Sequence, residues 1–121
     1  LSRNQIMKFE HTNERLHITL DAVNNIDSYD RFNNLNSTGT AGLVELQAGK
    51  HKTIGFFYLE RGSSGYQLTS SLPIKISKNN KIMLAREFFG LTGMNKAQYK
   101  AHIKVFNDGL TAVFNKLIDT I

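Results

Sequence analysis

Four histidines, ten carboxylates and no cysteine limit the chemistry that this chain can perform. Disulfides, thiolate metal ligands and cysteine nucleophiles are excluded. The histidines form no HExxH zinc motif, and no acidic segment matches a calcium-binding loop. His11 and His17 could share one strand face because an even number separates them, but exposed histidines are the simpler interpretation of this pair and of His51 and His102. We therefore predict neither a metal site nor a cofactor.

The glycine-rich segments lack the spacing of nucleotide-binding loops. A P-loop has a glycine five residues before its Gly-Lys pair, whereas Val44 holds that place before Gly49 and Lys50. Neither GTAG (39–42) nor GSSG (62–65) supplies GxGxxG, and GSSG also lacks the GxSxG pattern of a nucleophile elbow. We interpret GSSG as a turn and predict no catalytic residues, although a site assembled from scattered residues is invisible in one sequence.

The positive charge is concentrated in the second part of the chain. Residues 1–49 carry four basic and six acidic side chains, a balance of −2, and residues 50–121 carry +7, which together give the net charge of +5. A basic surface attracts nucleic acid, anionic lipid or acidic protein, and it also keeps a protein soluble.

Six lysines of this second part form two groups that could contact phosphates together. Lys96, Lys100 and Lys104 are spaced by four and form one ridge on a predicted helix. The other group, on the nearby predicted hairpin, comprises Lys75, Lys78 and Lys81. The simpler interpretation is a solvated helix face and a hairpin whose lysines block aggregation. Binding of unpaired bases would need exposed rings, for which Tyr66 and Tyr99 are the nearby candidates.

The segment NNIDSYDRFNNLNSTGTAG (24–42) is dense in residues that favour turns, because their short side chains bond to nearby backbone. We predict a long loop, and loops longer than about 12 to 15 residues in compact domains are often functional. Its candidate partner-binding residues are Tyr29, Arg31 and Phe32, of which the two aromatic residues could also anchor the loop. Lys50 and Lys52, at the tip of a later turn, are further candidates.

Apolar and polar residues alternate over RLHITLDAV (15–23), which predicts a half-buried strand. Gly55 within a later strand indicates a bulge or a close approach of backbone. Residues 82–89 fit a strand or a short helix equally. The meander of about six strands is completed by strands at 42–47, 52–60, 66–72, 73–77 and 81–89, with turns at AGK (48–50), GSSG and KNN (78–80).

From Met94 onward the apolar period becomes that of a helix. The sequence predicts an amphipathic helix over about 95–120, which Gly109 could divide in two. The helix is expected to pack on the sheet, and one flank could bind a second copy or a partner helix. Its apolar stripe consists of Tyr99, Ile103, Phe106, Leu110, Val113, Leu117 and Ile121, and it is widened by Val105, Phe114 and Ile118.

Length and pattern together predict one α+β domain over residues 1–121, an antiparallel β-meander, sheet or sandwich, closed by a C-terminal amphipathic helix. The β-rich part is predicted at 8–90 and the helical part at 94–121. No run of about 18 apolar residues occurs, so no membrane span is predicted. Because the first residue is Leu1 rather than Met, we expect an excised domain or a processed product, and the compartment is left open.

Residues 16–70 resemble the second half of a PA14-type module, including its fibro-slime relatives. The resemblance lies in LHITLDAVNNID and GLVELQAGKHKTIGFFYLERGSSGYQL, with matching positions at Asp21, Leu46, Ala48, Gly49, Lys50, Phe56, Tyr58, Glu60 and Arg61. It implies a β-sandwich with an extracellular, non-catalytic and often glycan-binding role. The first half of the module, its adjacent acidic pair for calcium and a counterpart for the helix are missing, so no ligand residue is carried over.

We predict a non-catalytic binding or assembly module that recognises a protein or glycan partner, with self-association through the C-terminal helix as one form. The alternative is a nucleic-acid-binding domain that uses the six lysines of the helix and the hairpin.

Overall fold

A computed structural model of the chain describes residues 6–27 and 38–121. Five strands form an antiparallel sheet in the order β1-β2-β3-β4-β5, and two short strands form a hairpin. The predicted α+β class, with an antiparallel meander and a C-terminal helix, is confirmed. The elements are β1 (Ile6–Asn13), β2 (Leu16–Asp27), β3 (Thr38–Ala48), β4 (His51–Gly62), β5 (Gly65–Ser70), β6 (Ile74–Ile76), β7 (Ile82–Leu84), α1 (Phe89–Thr92) and α2 (Lys96–Thr120).

Alternation divides the side chains of the large sheet between two faces, because successive strand residues point in opposite directions. The face toward α2, here called the inner face, carries the buried Ile18, Leu20, Val44, Phe57 and Leu59. The opposite face, here called the outer face, carries the residues between them. The inner face is therefore one wall of the core.

Strand β1 was not predicted, although Met7 and Phe9 alternate with Lys8 and Glu10 in the pattern of a half-buried strand. It pairs along its length with β2, from Ile6 opposite Val23 to Asn13 opposite Leu16. The signal is short, and position 11 carries a histidine where an apolar residue would extend it. The strand count is therefore seven in the described part of the chain.

The predicted loop over 24–42 is wrong at both ends, where β2 extends to Asp27 and β3 begins at Thr38. A break in the β2–β3 register between Val23 and Ile26 absorbs the turn-forming asparagines, and Asn25 adopts φ 61 there. The Asn24 side chain accepts hydrogen bonds from the Asn25 amide at 2.9 Å and from Thr40 Oγ1 at 2.8 Å. Short polar side chains here stabilise a bulge rather than a loop.

The other turns agree with the sequence. Gly49, at φ 62, lies in the two-residue turn between β3 and β4, and Asn80, at φ 60, lies in the β6–β7 turn. GSSG joins β4 to β5 through Ser63 and Ser64. The KIMLAREFF segment contains both alternatives, since β7 ends at Leu84 and α1 begins at Phe89.

Gly55 was predicted to mark a bulge or a close approach of backbone. The register runs through it without a break, with Gly55 opposite Val44. A Cβ at this position would instead collide with the side chain of Leu72, which fills the space beside the glycine. The close approach is thus made by a core side chain that follows β5.

Helix α2 runs unbroken from Lys96 to Thr120, so the division suggested at Gly109 does not occur. Gly109 is instead a place where the helix lies close to the sheet, because a Cβ there would be 2.7 Å from Ile18 Cδ1. The predicted stripe is buried except at Ile103 and Ile121, which are 41% and 39% exposed. Phe114, predicted to widen the stripe, packs edge to face with Phe57 at 5.3 Å between ring centroids.

Side chains also fasten α2 to the edge strand β1 and to the hairpin. Asn13 Nδ2 donates to the Val105 carbonyl at 3.2 Å, and Lys116 Nζ donates to the Glu10 carbonyl at 3.2 Å. On the opposite flank, the Leu84 amide donates to Asn107 Oδ1 at 2.9 Å. The layer that faces the sheet therefore consists of helix α2 and the small β6–β7 hairpin. The resemblance of residues 16–70 to a PA14-type module stays a prediction. No described helix is long and apolar enough to cross a membrane.

We expect Gly42→Ala to destabilise the sheet. A Cβ at Gly42 would collide with the carbonyl oxygen of Asp21 on β2, and the backbone cannot withdraw without breaking the Ala22–Gly42 pairing. The free energy of unfolding, measured by urea denaturation, is expected to fall by about 3 kcal/mol, the upper end for overpacking. Gly90→Ala, which enters open space, is the control and should change it by less than about 0.5 kcal/mol. Equal stability of the two variants would contradict the close approach.

Tyr99 gives a second test of the core. Its side chain is 2% exposed, and its hydroxyl has no hydrogen-bond partner among the described residues. Burial raises the pKa of this hydroxyl above its ordinary value of 10.0, with the Phe88 backbone opposing the shift and the Glu87 charge adding to it. Because the pKa of this hydroxyl is higher in the folded state, its contribution to the free energy of unfolding is fully present below its unfolded-state pKa. That contribution is lost as the pH rises through its folded-state pKa.

We therefore expect the wild-type free energy of unfolding to fall more steeply between about pH 9 and pH 11 than that of Tyr99→Phe. At about pH 8 the variant should be at least as stable, because it removes a buried hydroxyl that lacks a partner. Urea denaturation at the three pH values measures both effects. Parallel pH profiles for the two proteins would contradict this account.

Candidate functional site

Two turns of the sheet and the junction between the helices meet at one end of the molecule. Alternate turns of an antiparallel meander fall at the same end, and here the Gly49 amide donates to the Arg15 carbonyl at 3.4 Å. The helix junction is held against them, since Thr53 Oγ1 donates to the Leu91 carbonyl and Gly93 packs on the His51 side chain. Between these parts lies an open cleft of about 370 Å³, here called the end cleft.

Basic side chains dominate the end cleft. Arg15 comes from the β1–β2 turn, Lys50 from the β3–β4 turn with His51 beside it at the start of β4, and His102 from the second turn of α2. None of its described lining residues is acidic. Arg15, Lys50 and His51 are exposed to solvent, whereas His102 is half-buried. The end cleft thus collects positive charge and N–H donors from three separate parts of the chain.

Local interactions fix the helical side of the end cleft. Gly93 ends α1 at φ 72, a conformation that suits glycine, and Asn95 then caps α2. His102 Nδ1 lies 2.9 Å from the Gln98 carbonyl, and its Nε2 lies 3.6 Å from Glu14 Oε2 at the rim. The ring of His102 is therefore held between its own helix and the first turn of the sheet.

The structure brings some of the predicted lysines together and separates others. Lys50 lines the end cleft, whereas Lys52 lies on the outer face, 3.6 Å from Glu45. Lys104 donates to Asp108 at 2.7 Å, and this hydrogen bond holds the pKa of Asp108 below its ordinary value, with Lys81 contributing in the same direction. The ridge and the hairpin therefore approach one acid, through Lys104 and Lys81. All six predicted lysines are exposed: Lys75, Lys78, Lys81, Lys96, Lys100 and Lys104.

The aromatic rings suggested for base stacking are not both accessible. Tyr99 is buried in the core, and Tyr66 is half-buried with the Arg61 guanidinium 5.8 Å from its centroid. Nucleic-acid binding by the lysines stays a prediction, with its support reduced to charge. The loop candidates Tyr29, Arg31 and Phe32 lie outside the described residues.

The outer face of the sheet is the second surface of interest. Ile6, Leu43 and Ile54 are large apolar residues on it, and they are 59%, 52% and 57% exposed. Leu43 lies directly opposite Phe56 in the β3–β4 register. In the described part of the chain, both helices and the hairpin pack on the inner side. Sequence reasoning missed this surface because it assigned exposed apolar residues to the helix.

A smaller polar cleft of about 160 Å³ lies at the opposite end of the sheet, beside the β2 bulge. Asn24, Thr40, Arg61 and Tyr66 line it and supply amide, hydroxyl and guanidinium groups. Groups of this kind also bind sugar hydroxyls, but no further observation connects this cleft to a ligand. Glycan recognition stays a prediction.

The histidines differ from their sequence-based interpretation in two respects. His51 and His102, far apart in sequence, line the same cleft. His11 and His17 instead lie on neighbouring strands and opposite faces, with His17 Nε2 3.2 Å from Glu10 Oε2. Within residues 6–27 and 38–121, no group of three or more His, Asp or Glu side chains could hold a metal ion.

No protein-family model matches the chain, and no curated protein or solved structure matches it either.

The capping box of α2 can be tested because it sets the wall of the end cleft. The Asn95 side chain accepts from the Gln98 amide at 2.9 Å, and the Asn95 amide donates to the Gln98 side chain at 3.2 Å. Asn95→Ala is expected to lower the free energy of unfolding by about 1 kcal/mol. Asn115→Ala, at an exposed position inside the same helix, is the control and should be neutral or slightly stabilising. A loss of the same size in both variants would show that the box contributes nothing.

Proposed function

We propose that this chain is a non-catalytic assembly module whose partner is a second copy of itself, bound through the outer face of the sheet. The observation that carries the proposal is the pair of exposed apolar side chains Leu43 and Ile54, diagonal neighbours on β3 and β4, with Ile6 exposed on the same face two strands from Leu43. Solvent-exposed apolar residues grouped on one face mark interaction surfaces more often than scattered ones do.

The helix flank suggested for self-association is a poorer surface, because most of the stripe beside it is buried. Phe106, Leu110, Val113 and Leu117 are each 0% exposed, because they are the core contact with the sheet. An association through them would require the helix to leave the inner face. Of the predicted stripe, Ile103 and Ile121 alone are exposed, and they lie far apart along the helix.

The outer face is only partly open to a second copy. Tyr58, on this face of β4, is 2% exposed, and Phe56 and Glu60 beside it also have interaction partners. The whole face, five strands spaced by about 4.8 Å and about 30 Å long, covers about 700 Å². The open part around Leu43 and Ile54 is therefore smaller than the roughly 800 Å² that a standard interface buries per partner, and it suits a weak dimer. Two such faces would pack about 10 Å apart with their strands nearly aligned.

The charges on the outer face favour a second copy over a partner of strong single charge. Lys8 lies opposite Asp21 on the neighbouring strand, and Lys52 lies 3.6 Å from Glu45. Both signs are thus present around the apolar residues, so a copy related by a two-fold axis can place its lysines against carboxylates of the first. The exposed lysines of α2 and the hairpin, in contrast, would repel their counterparts.

Light scattering coupled to size-exclusion chromatography, and sedimentation equilibrium, test the proposal at about 100 μM protein. The wild type is expected to be a dimer. Leu43→Glu with Ile54→Glu should raise the dissociation constant at least about 100-fold, because burial of an unpaired charge opposes association. The matched control is Leu91→Glu, which changes an apolar residue 49% exposed on α1 and should leave the dimer intact.

Each outcome of these measurements supports or overturns the proposed dimer. A monomeric wild type at this concentration would overturn self-association, and a dimer insensitive to the double variant would place the interface elsewhere. Thermal unfolding of all variants shows that they remain folded. Absence of catalysis is part of the same proposal, and an activity abolished by changing a single acid or histidine would refute it.

A further inference from the structure

The end cleft has the composition of an anion-binding site, and it lies apart from the outer face. Arg15 and Lys50 carry fixed positive charges, and they reach the cleft from two different turns. His51 adds a ring nitrogen from β4 and Gln98 a side-chain amide from α2, whereas both ring nitrogens of His102 face other partners, the Gln98 carbonyl at 2.9 Å and Glu14 at 3.6 Å. We propose that the end cleft binds the phosphate monoester group of a small molecule.

The count of charges favours phosphate over carboxylate. The fixed charges at the cleft are Arg15 and Lys50, with the Glu14 carboxylate at the rim. A phosphate monoester, at about −1.5 to −2 at pH 7, is attracted by Arg15 and Lys50 more strongly than a carboxylate, which carries one charge. A phosphate also presents three acceptor oxygens that can be reached from several directions. The guanidinium of Arg15 can bind two of them in a fork, and Lys50 acts as a point charge.

The remaining lining indicates a compact body attached to the phosphate. Ala48, Gly93 and Met94 provide small or apolar surface beside the basic groups. A cleft of about 370 Å³ lies at the lower end of the range of small-ligand sites, about 300 to 1,000 Å³. A body of the size of one sugar ring suits this volume, and a folded protein surface would contact mainly the rim.

The parts of the end cleft are held in place before any ligand arrives. The Gly49–Arg15 backbone hydrogen bond joins the two turns, and the bond from Thr53 to the Leu91 carbonyl fastens the helix junction to β4. A Cβ added at Gly93 would lie 2.9 Å from the His51 Cβ. Any larger residue at position 93 would therefore force the helix junction and the start of β4 apart. A site that is formed in advance loses little entropy on binding.

Nuclear magnetic resonance titration of the ¹⁵N-labelled full chain tests the proposal with four probes: inorganic phosphate, a hexose 6-phosphate, the unphosphorylated hexose and a phosphoserine peptide. The hexose phosphate is expected to shift the amide signals of Gly49, Lys50, His51 and Gly93 and to bind more tightly than inorganic phosphate. Arg15→Gln with Lys50→Gln should weaken it at least about tenfold, since two charge-assisted contacts are lost. Both residues are exposed, so the fold should be retained.

A charge-matched control separates a site from general attraction. Lys75→Gln with Lys78→Gln removes the same charge from the hairpin and should leave the affinity unchanged. Equal weakening by both double variants, or equal binding of the unphosphorylated hexose, would overturn the proposal. So would a lack of binding by hexose phosphate at about 10 mM, or a preference for the phosphoserine peptide, which would assign the phosphate to a protein. Repeating the titration with Leu43→Glu, Ile54→Glu keeps the result independent of self-association.

Discussion

The packing of helix α2 on the inner face of the sheet is the interaction on which the other features depend. Phe106, Leu110, Val113, Phe114 and Leu117 are each 0% exposed at this contact. Burial of a large apolar side chain contributes about 1.5–3 kcal/mol, so five of them supply a substantial part of what offsets the entropy of ordering the chain. Gly109 lets the helix axis approach Ile18, and this approach brings α2 within hydrogen-bonding reach of β1.

The same contact determines both candidate surfaces. Because α2 covers the inner face, the proposed partner surface lies on the outer face, where Leu43 and Ile54 are exposed. Because Asn13 and Glu14 hold the beginning of α2 near the first turn, His102 and Gln98 lie beside Arg15 and Lys50. The edge strands are less available, since Lys116 occupies the Glu10 carbonyl of β1 and the β6–β7 hairpin lies beside β5. Both edges are thereby less suited to strand addition, which agrees with the proposed association through the face of the sheet.

Sequence reasoning was reliable where one local rule decides the conformation. The helix period predicted α2 to within a residue at its start, and Gly49, GSSG and Asn80 predicted their turns. It failed where local and tertiary effects compete. Asn24 and Asn25 have turn propensity, yet pairing with β3 on both sides of them retains the strand and leaves a bulge. Gly55 and Gly109 were interpreted from backbone freedom, whereas both are small because Leu72 and Ile18 need the space.

The candidate sites show the same limit. Lys50 was recognised from the turn that carries it, but its neighbours Arg15 and His102 come from distant segments, and their approach depends on the unpredicted strand β1. Once β1 is placed, the alternation of turns in a meander indicates that the β1–β2 and β3–β4 turns share an end. The position of α2 over that end could not be predicted, because periodicity identifies the buried face of a helix but not its direction across a sheet.

The contact between α2 and β1 also has a consequence for the order in which the molecule folds. Strand β1 is among the first described elements of the chain and α2 is the last, and hydrogen bonds join residues 10 and 116 and residues 13 and 105. Contacts of such long sequence separation slow folding, because a large loop must close before they form. During synthesis, the inner face of the meander has no cover until residues 96–120 have emerged from the ribosome. The nascent sheet thus exposes apolar surface on both sides, and that interval is when we expect a chaperone to bind it.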